Sequence, residues 1–449
     1  MRKSYSRIDS DVTITKSENF IDTCRGGKKN VFVRLRKLSV QNLVYSLIIR
    51  RGLTIKMEMR GFMKIASPGV TISKPGYLKQ RMKLNPEALE ILFKFHNKNF
   101  YSDPETEKYT FNGHLVLAAD GSSVNIPTTP ETLAKYGRAL RKNEKTGAQM
   151  GIAGLYDVLN RMVVELSCHR SKFNEMAAAE AQIMKVRETI GEGVPFLVIM
   201  NRGYPSIAAI MRMIDAKIKF VIRLSSTDFK REQLGLESDD EDTDVLLTYS
   251  GRRSRYKGTK DEELVMSRDS FPLRMVRVWL DESRKNGEQA YEILATNLPR
   301  DEFPAECFRE LYHMRWRIET AFQVLKDRLQ LENFSGTKPV LLEQDIYSTV
   351  YVSNVCEDIA RDIEHEQAER LKNDYKHRMA VNRSLCIGIL KNDLIYILLE
   401  KDPKVKEELF HRMYKEISEN IVPVRPDRHY ERTKRNVTGK YSNTHKRSY

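Results

Sequence analysis

The stretch HLVLAADGSSVNIP, residues 114–127, decides how this sequence folds. Its apolar first half, followed by small and polar turn residues, predicts a short β-strand with Asp120 at its end. An Asp before Gly-Ser is, taken alone, typical of a turn. Strand ends are nevertheless where an open α/β sheet presents functional groups, so Asp120 is a candidate site residue by position.

The residues that follow predict an alternating α/β core. Two strand-like segments, GIAGLYDVLN (151–160) and MVVELSCHR (162–170), precede a helix that Asn174 caps and that extends to about Ile190. The unbroken apolar run VPFLVIM (194–200) predicts a buried strand ending at Asn201. A helix at 207–216 and the strand KFVIRLS (219–225) come next. This order matches the start of an RNase H-like fold, an α/β class with a mixed five-stranded sheet flanked by helices.

A β-rich insertion is predicted at 225–300, where the composition changes. It contains the acidic run ESDDEDTD (237–244), the basic turn GRRSRYKG (251–258) and the alternating strand-like pieces LRMVRVWL (273–280) and AYEILATN (290–297). We interpret the acidic run as a solvated loop. The basic turn is compatible both with a plain surface turn and with a DNA contact.

Positive charge is concentrated near the N-terminus. The chain has 76 Lys and Arg against 61 Asp and Glu, a formal net charge of +15. Fifteen of the basic residues and one acid, Glu58, lie between Arg25 and Leu84. Apolar residues there recur at helical spacing, which predicts a small basic helical domain. A solvated basic face would explain the charge as well, but a phosphate-rich partner such as double-stranded DNA explains its concentration better.

The length of 449 residues predicts two or three folding units. We expect a basic helical DNA-binding region at 1–110, a catalytic core at 111–335, a C-terminal helical region at 336–424, and a basic, disordered tail at 425–449. The five cysteines, scattered without C-x-x-C pairs, fit a reducing compartment. No apolar run is long enough for a membrane span, which excludes a membrane protein and favours the cytoplasm.

A functional stripe is predicted on the helix beginning near Pro304, ELYHMRWRIETAFQVLKDRLQLE. At about 100° per residue, four polar side chains project within roughly 60° of one another along the edge of its buried face. They are Tyr312, Arg315, Glu319 and Lys326. An amphipathic helix with an Arg315–Glu319 pair is the structural alternative.

Metal-dependent phosphoryl transfer to DNA would explain such a combination. Two Mg²⁺ or Mn²⁺ ions about 4 Å apart activate the attacking oxygen and neutralise the leaving one, and carboxylates hold them. Arginine, lysine and tyrosine beside them bind the neighbouring phosphates.

These motifs together resemble the DDE transposases of bacterial insertion sequences that carry the signature Y-x2-R-x3-E-x6-K. Tyr312, Arg315, Glu319 and Lys326 match all four signature positions, and AADGSSVNIP, YDVLN, the helix opening at Asn174 and NRGYPS occur in the family's order. The resemblance extends from about Ser73 to beyond Asn354. A β-rich insertion before the glutamate helix is also a feature of this family.

The resemblance implies that Asp120, residue 201 and Glu319 are the catalytic metal ligands. It implies that Tyr312, Arg315 and Lys326, with Arg202 and Tyr204 of the NRGYPS motif, contact the transposon end. The family pattern reads D-R-G-Y where this chain has Asn201, and an amide oxygen supplies no charge to a cation.

Three functions follow as hypotheses. The first is a cut-and-paste transposase acting on terminal inverted repeats and target DNA as a homodimer, with activity weakened at Asn201. The second is a catalytically inactive, repeat-binding protein that represses or competes with active copies. The third, a resolvase-like metal nuclease, does not need the Tyr-Arg-Lys stripe and is disfavoured.

Overall fold

The computed structural model describes residues 2–34, 37–138, 147–234, 236, 242–248, 253–283, 289–373 and 375–425. The strands are β1 (Leu115–Asn125), β2 (Gln149–Asp157), β3 (Met162–Arg170), β4 (Phe196–Met200), β5 (Lys219–Arg223), β6 (Asp242–Thr248), β7 (Ser270–Ser283), β8 (Gln289–Thr296), β9 (Met379–Val381) and β10 (Ile421–Pro423).

The helices fall into three groups along the chain. Before the sheet lie α1 (Lys3–Ile14), α2 (Glu18–Arg25), α3 (Val40–Ile48), α4 (Ile55–Ala66), α5 (Lys74–Arg81) and α6 (Glu87–Ser102). Between the strands of the sheet lie α7 (Pro130–Tyr136), α8 (Glu175–Lys185), α9 (Arg187–Ile190), α10 (Ile207–Asp215), α11 (Lys230–Leu234), α12 (Arg253–Tyr256) and α13 (Glu262–Met266). After the sheet lie α14 (Cys307–His313), α15 (Trp316–Asp327), α16 (Pro339–Glu366), α17 (Ala368–Asn373), α18 (Arg383–Leu399) and α19 (Pro403–Glu419).

The central feature is a mixed sheet in the order β3-β2-β1-β4-β5-β8-β7-β6. Strands β1, β2 and β3 are antiparallel neighbours, whereas β4 runs parallel to β1 and β5 runs parallel to β4. The predicted α/β class is confirmed, and the order of strands and helices is as predicted except that α7 lies between β1 and β2.

The sheet has eight strands, because three strands from the predicted insertion, β6, β7 and β8, extend the five strands β1 to β5. The predicted insertion does not form a separate unit, because β8 pairs antiparallel with β5 and β7 and β6 follow it outward. An unpaired edge at β5 would expose backbone donors and acceptors, and the insertion satisfies them.

Two local expectations were wrong. Strand β1 does not end at Asp120, because β2 pairs with it as far as Asn125 and keeps the backbone extended. Within the acidic run, Asp242–Asp244 belong to β6, where Arg274 binds the Asp242 carboxylate at 2.6 Å. Residues 237–241 of that run, 251–252 of the basic turn and 426–449 of the predicted tail lie outside the described residues.

The N-terminal and C-terminal helices share one apolar core with one face of the sheet. Leu89 and Phe93 of α6, Val116 of β1, Ile318 of α15 and Tyr351 of α16 all belong to this core. A second core on the opposite sheet face packs α8 and α10 against β1 and β4. The division at residues 110 and 336 therefore stays a prediction.

Two further observations concern the chain as a whole. All five cysteines are free thiols. Among the described helices none is long and apolar enough to cross a membrane.

Candidate active site

The site begins where β4 ends beside β1. Ala119 pairs with Met200, the last residue of β4, so Asp120 follows that pair on β1 and Asn201 follows it directly after the end of β4. Strand neighbours lie about 4.8 Å apart. Because side chains alternate along a strand, Asp120 shares a sheet face with Val116 and Ala118, the face against which α15 packs. The sheet thus delivers Asp120 toward α15.

The helix after Pro304 is not continuous, contrary to the prediction from spacing. Helix α14 ends at His313 and α15 begins at Trp316. The amide of Arg315 donates to the carbonyl of Tyr312 at 3.0 Å, a tighter turn than an α-helical one. The signature residues therefore lie on two short helices and the turn between them, so one helical wheel does not describe their directions.

Arg315 is the buried centre of the site. Its side chain is 1% exposed; Nη2 donates to Glu319 Oε1 at 3.0 Å and Nη1 lies 3.9 Å from Asp120 Oδ2. One planar cation thus borders both carboxylates, whose nearest oxygens are no more than about 9 Å apart because the guanidinium is rigid. Nε and Nη1 have no hydrogen-bond partner among the described residues.

Asp120 is held in a setting that disfavours its charge. Burial raises its pKa to about 6, and the carboxylates of Glu175 and Glu319 raise it too, while its bond from the Gly121 amide and Arg315 act in the opposite direction. A carboxylate surrounded by other carboxylates is the usual environment of a cation-binding oxygen ligand.

Lys326 lies farther along α15. Its ammonium donates to Ser122 Oγ of β1 at 2.7 Å, and burial lowers its pKa. Ser122 is two residues after Asp120 and projects from the same face of β1. Lys326 and Asp120 are therefore on one continuous surface.

The other expected DNA-contacting residues differ in exposure. Arg202 is exposed and its amide donates to Asn201 Oδ1 at 2.8 Å. Tyr204 is buried, and burial with the nearby carboxylates of Asp120 and Glu175 raises its pKa far above the ordinary value. Tyr312 is buried as well, which raises its pKa to about 12.

Two residues near this site were missed from the sequence. Glu175, in the first turn of α8, lies against Gly121: a Cβ on that glycine would stand 2.6 Å from the Glu175 carboxyl carbon. Trp316 is 39% exposed and its ring lies 4.5 Å from the Arg315 guanidinium carbon. In the sequence, Glu175 only follows the predicted helix cap Asn174, and Trp316 lies between the signature residues Arg315 and Glu319. Neither residue therefore has a distinctive spacing.

The oxygen atoms of the predicted ligands suit a hard divalent cation, but only two of the three expected carboxylates are present. Asp120 and Glu319 supply carboxylate oxygens, and the Asn201 amide oxygen adds a neutral one. Within the described residues no group of three or more His, Cys, Asp or Glu side chains is arranged to hold a metal ion.

A carboxylate on β1 and a carboxylate on α15 thus border the same buried arginine. The family model of the transposase DDE domain matches residues 111–355, more than half of the chain. The chain belongs to the DDE transposases, and its curated relatives are transposases of insertion sequences.

Two such relatives from Escherichia coli, a putative transposase of the element IS186A and the transposase of IS421, are each 32% identical over 89 residues. These alignments cover 18% of this chain and 24% of each relative. The transposase of IS231C from Bacillus thuringiensis subsp. berliner is 21% identical over 130 residues, which are 28% of this chain and 26% of that protein. The chain therefore aligns with about a quarter of the length of these relatives.

One solved structure is also similar in outline. The piggyBac transposase in a synaptic complex with hairpin DNA superposes with a TM-score of 0.47 at 10% identity, covering 90% of this chain and 84% of that one.

Proposed function

We propose that this chain is a cut-and-paste transposase that cleaves DNA at terminal inverted repeats and joins the ends to target DNA. The observation that carries this is the arrangement around Arg315, where the Asp120 and Glu319 carboxylates border one buried cation with unused N–H groups. The order of strands and helices supports an RNase H-like core for this site.

Each residue has a distinct part in the proposed reaction. Asp120 and Glu319 hold divalent cations, Mg²⁺ or Mn²⁺, and the Asn201 oxygen completes the set of expected ligands. Two bound ions would lower the pKa of the attacking water or 3′-hydroxyl and neutralise the leaving oxygen. Arg315 donates its free N–H groups to a phosphate of the cleaved strand, which fixes the strand for in-line attack.

The flanking residues grip the DNA. Lys326 places its ammonium over Ser122 and contacts a neighbouring phosphate, while exposed Arg202 contacts the strand on the β4 side. Tyr312 and Tyr204 shape the floor of the site, and exposed Trp316 offers a ring on which an unstacked base can stack. We infer a homodimer that pairs two transposon ends.

A second function is favoured by a specific observation, namely Asn201. Losing one of three carboxylates at a cost on the order of 4 kcal/mol would slow cleavage ~10³-fold. A chain that binds the repeats and does not cut them would compete with active copies for the ends.

The experiment compares strand cleavage by four purified forms on a DNA fragment with the element's own ends, in Mg²⁺ or Mn²⁺. The forms are the wild type, Asp120→Asn, Glu319→Gln and Asn201→Asp. We expect both charge-removing variants to lose cleavage and Asn201→Asp to increase it strongly, with end binding unchanged in all four.

One outcome separates the two functions, and another tests the proposed active site itself. Retained end binding with no cleavage by the wild type, restored by Asn201→Asp, supports the repressor. Cleavage that survives both Asp120→Asn and Glu319→Gln would overturn the proposed active site.

A further inference from the structure

We propose that Glu175 supplies a third carboxylate to the cation site beside Asp120, in the role for which Asn201 lacks the charge. The inference rests on the proposed nuclease function and adds a ligand that the DDE pattern does not contain. Glu175 begins α8, which Asn174 caps through a bond from the Ala177 amide at 3.1 Å.

The backbone of β1 allows the close approach. Glu175 Oε1 lies 2.7 Å from the point that a Cβ of residue 121 would occupy, so a side chain at residue 121 would displace this carboxylate from its present position. Gly121 directly follows Asp120, and burial together with the nearby carboxylates of Asp120 and Glu175 raises the pKa of the Tyr204 phenol. Asp120, Glu175 and Tyr204 therefore form one cluster at the end of β4.

The adjacent Arg315 indicates that this cluster faces a ligand. Its side chain is 1% exposed, and its Nη1, with no hydrogen-bond partner among the described residues, is directed to the Asp120 carboxylate from 3.9 Å. Burying the N–H donors of a guanidinium without hydrogen-bond acceptors costs free energy. An anionic group such as a DNA phosphate next to these carboxylates satisfies those donors, and a divalent cation between the two offsets their repulsion.

A change of side-chain rotamer completes the ligand set. Glu175 approaches β1 from the face opposite to α15, because Gly121 and Asp120 alternate along the strand. Its side chain is exposed and has three rotatable bonds, so the proposal requires a rotamer change that brings the carboxylate past Gly121 to Asp120. An additional charge from Glu175 restores a set of three acids, of which a chain with Asn201 otherwise has two.

The test measures Mn²⁺ binding by electron paramagnetic resonance, with DNA cleavage measured in parallel. The variants are Glu175→Gln, Asn201→Asp, the double variant of both, Asp120→Asn, and Glu188→Gln as a matched exposed first-turn acid on α9. We expect Glu175→Gln to weaken Mn²⁺ binding at least about tenfold and Glu188→Gln to have no effect. In the Asn201→Asp background the effect of Glu175→Gln should nearly vanish, because the two carboxylates substitute for each other.

A second variant changes the surroundings of the Glu175 carboxylate and leaves Glu175 itself unaltered. Gly121→Ala places a methyl group against Glu175 and should weaken Mn²⁺ binding in the wild type more than in Asn201→Asp. Circular dichroism confirms folding of every form.

The outcomes separate the two proposals. Equal Mn²⁺ affinity for Glu175→Gln and Glu188→Gln, while Asp120→Asn binds weakly, overturns the role of Glu175 and leaves the active site standing. Absence of cleavage by the wild type and Asn201→Asp alike overturns the nuclease function, whereas weaker Mn²⁺ binding by Glu175→Gln still supports the ligand.

Discussion

The guanidinium Nη1 of Arg315 lies 3.9 Å from the carboxylate Oδ2 of Asp120, although 195 residues separate them along the chain. Arg315 stands in the turn between α14 and α15, and Asp120 stands in the middle of β1. The same guanidinium donates to Glu319, so it holds the two acids of the proposed active site in a fixed relation. Because Arg315 is buried, removing this cation should destabilise the fold as well as disturb the relation between the two acids.

The first prediction concerns the fork geometry of Arg315. Arg315→Lys keeps the charge and loses the planar set of donors that borders both Glu319 and Asp120. We expect DNA cleavage to fall on the order of 10²-fold with end binding reduced much less, since these donors act at the reacting phosphate. Single-turnover cleavage and gel-shift titration measure the two quantities. Arg328→Lys, an exposed arginine at the end of α15, is the control; an equal loss in both variants would contradict a specific role.

The second prediction concerns the cost of keeping Asp120 charged. Its pKa is raised from the ordinary 3.8 to about 6, so the folded protein binds this proton more tightly than the unfolded chain. Ionised Asp120 therefore destabilises the fold above pH 6, and this cost declines as the pH falls toward 4. Asp120→Asn should increase the free energy of unfolding at pH 8 by at most about 3 kcal/mol. The gain should shrink at pH 4.5.

Chemical denaturation of Asp120→Asn and the wild type at both pH values measures this difference. The conservative Asp301→Asn in the turn before α14 is the control, because its carboxylate is exposed. A stability gain that is the same at pH 8 and pH 4.5 would show that the ionisation of Asp120 is not its cause.

The third prediction concerns the basic N-terminal region. Lys56, Arg60 and Lys64 follow one another at four-residue steps on α4, and all three are exposed. They form one stripe, because four residues exceed a helical turn by only about 40°. Replacing all three with Gln should weaken nonspecific DNA binding and reduce the slope of log affinity against log salt by about 2 to 3.

Fluorescence anisotropy at several salt concentrations measures that slope. The matched control replaces three exposed basic residues of α19, namely Lys404, Arg412 and Lys415. Equal slopes for the α4 variant and the wild type would remove this stripe from the DNA-binding surface.

Local patterns in the sequence were sufficient to predict most of the strands and helices of the core. Strand β3 has the bounds predicted from MVVELSCHR, and Asn174 caps α8 as expected. Both predictions depend on neighbours within a few residues. The strand follows from an apolar run bounded by turn residues, and the cap follows from a side chain that accepts a hydrogen bond from an amide in the first helical turn. The helix from Asn174 nevertheless ends at Lys185, and α9 follows as a separate short helix.

Charge counting was less reliable where a cation is buried. Arg81 contributed to the basic window in the sequence, but its side chain is fully buried, and Nη2 donates to Asp345 at 2.9 Å. Arg50 lies 3.5 Å from the same carboxylate. These two arginines tie the N-terminal helices to α16, and the net charge available to DNA is correspondingly smaller than the count.

The sequence by itself determined the α/β class, the order of the strands and helices, and the candidates Asp120, Asn201 and Glu319, because each follows from short-range periodicity or from a motif. Tertiary structure alone decided that the insertion extends the sheet at β5, that Arg315 lies beside Asp120, and that Glu175 lies against Gly121. These relations connect residues far apart in the chain. Their distances depend on how strands pair and helices pack, which no local spacing encodes.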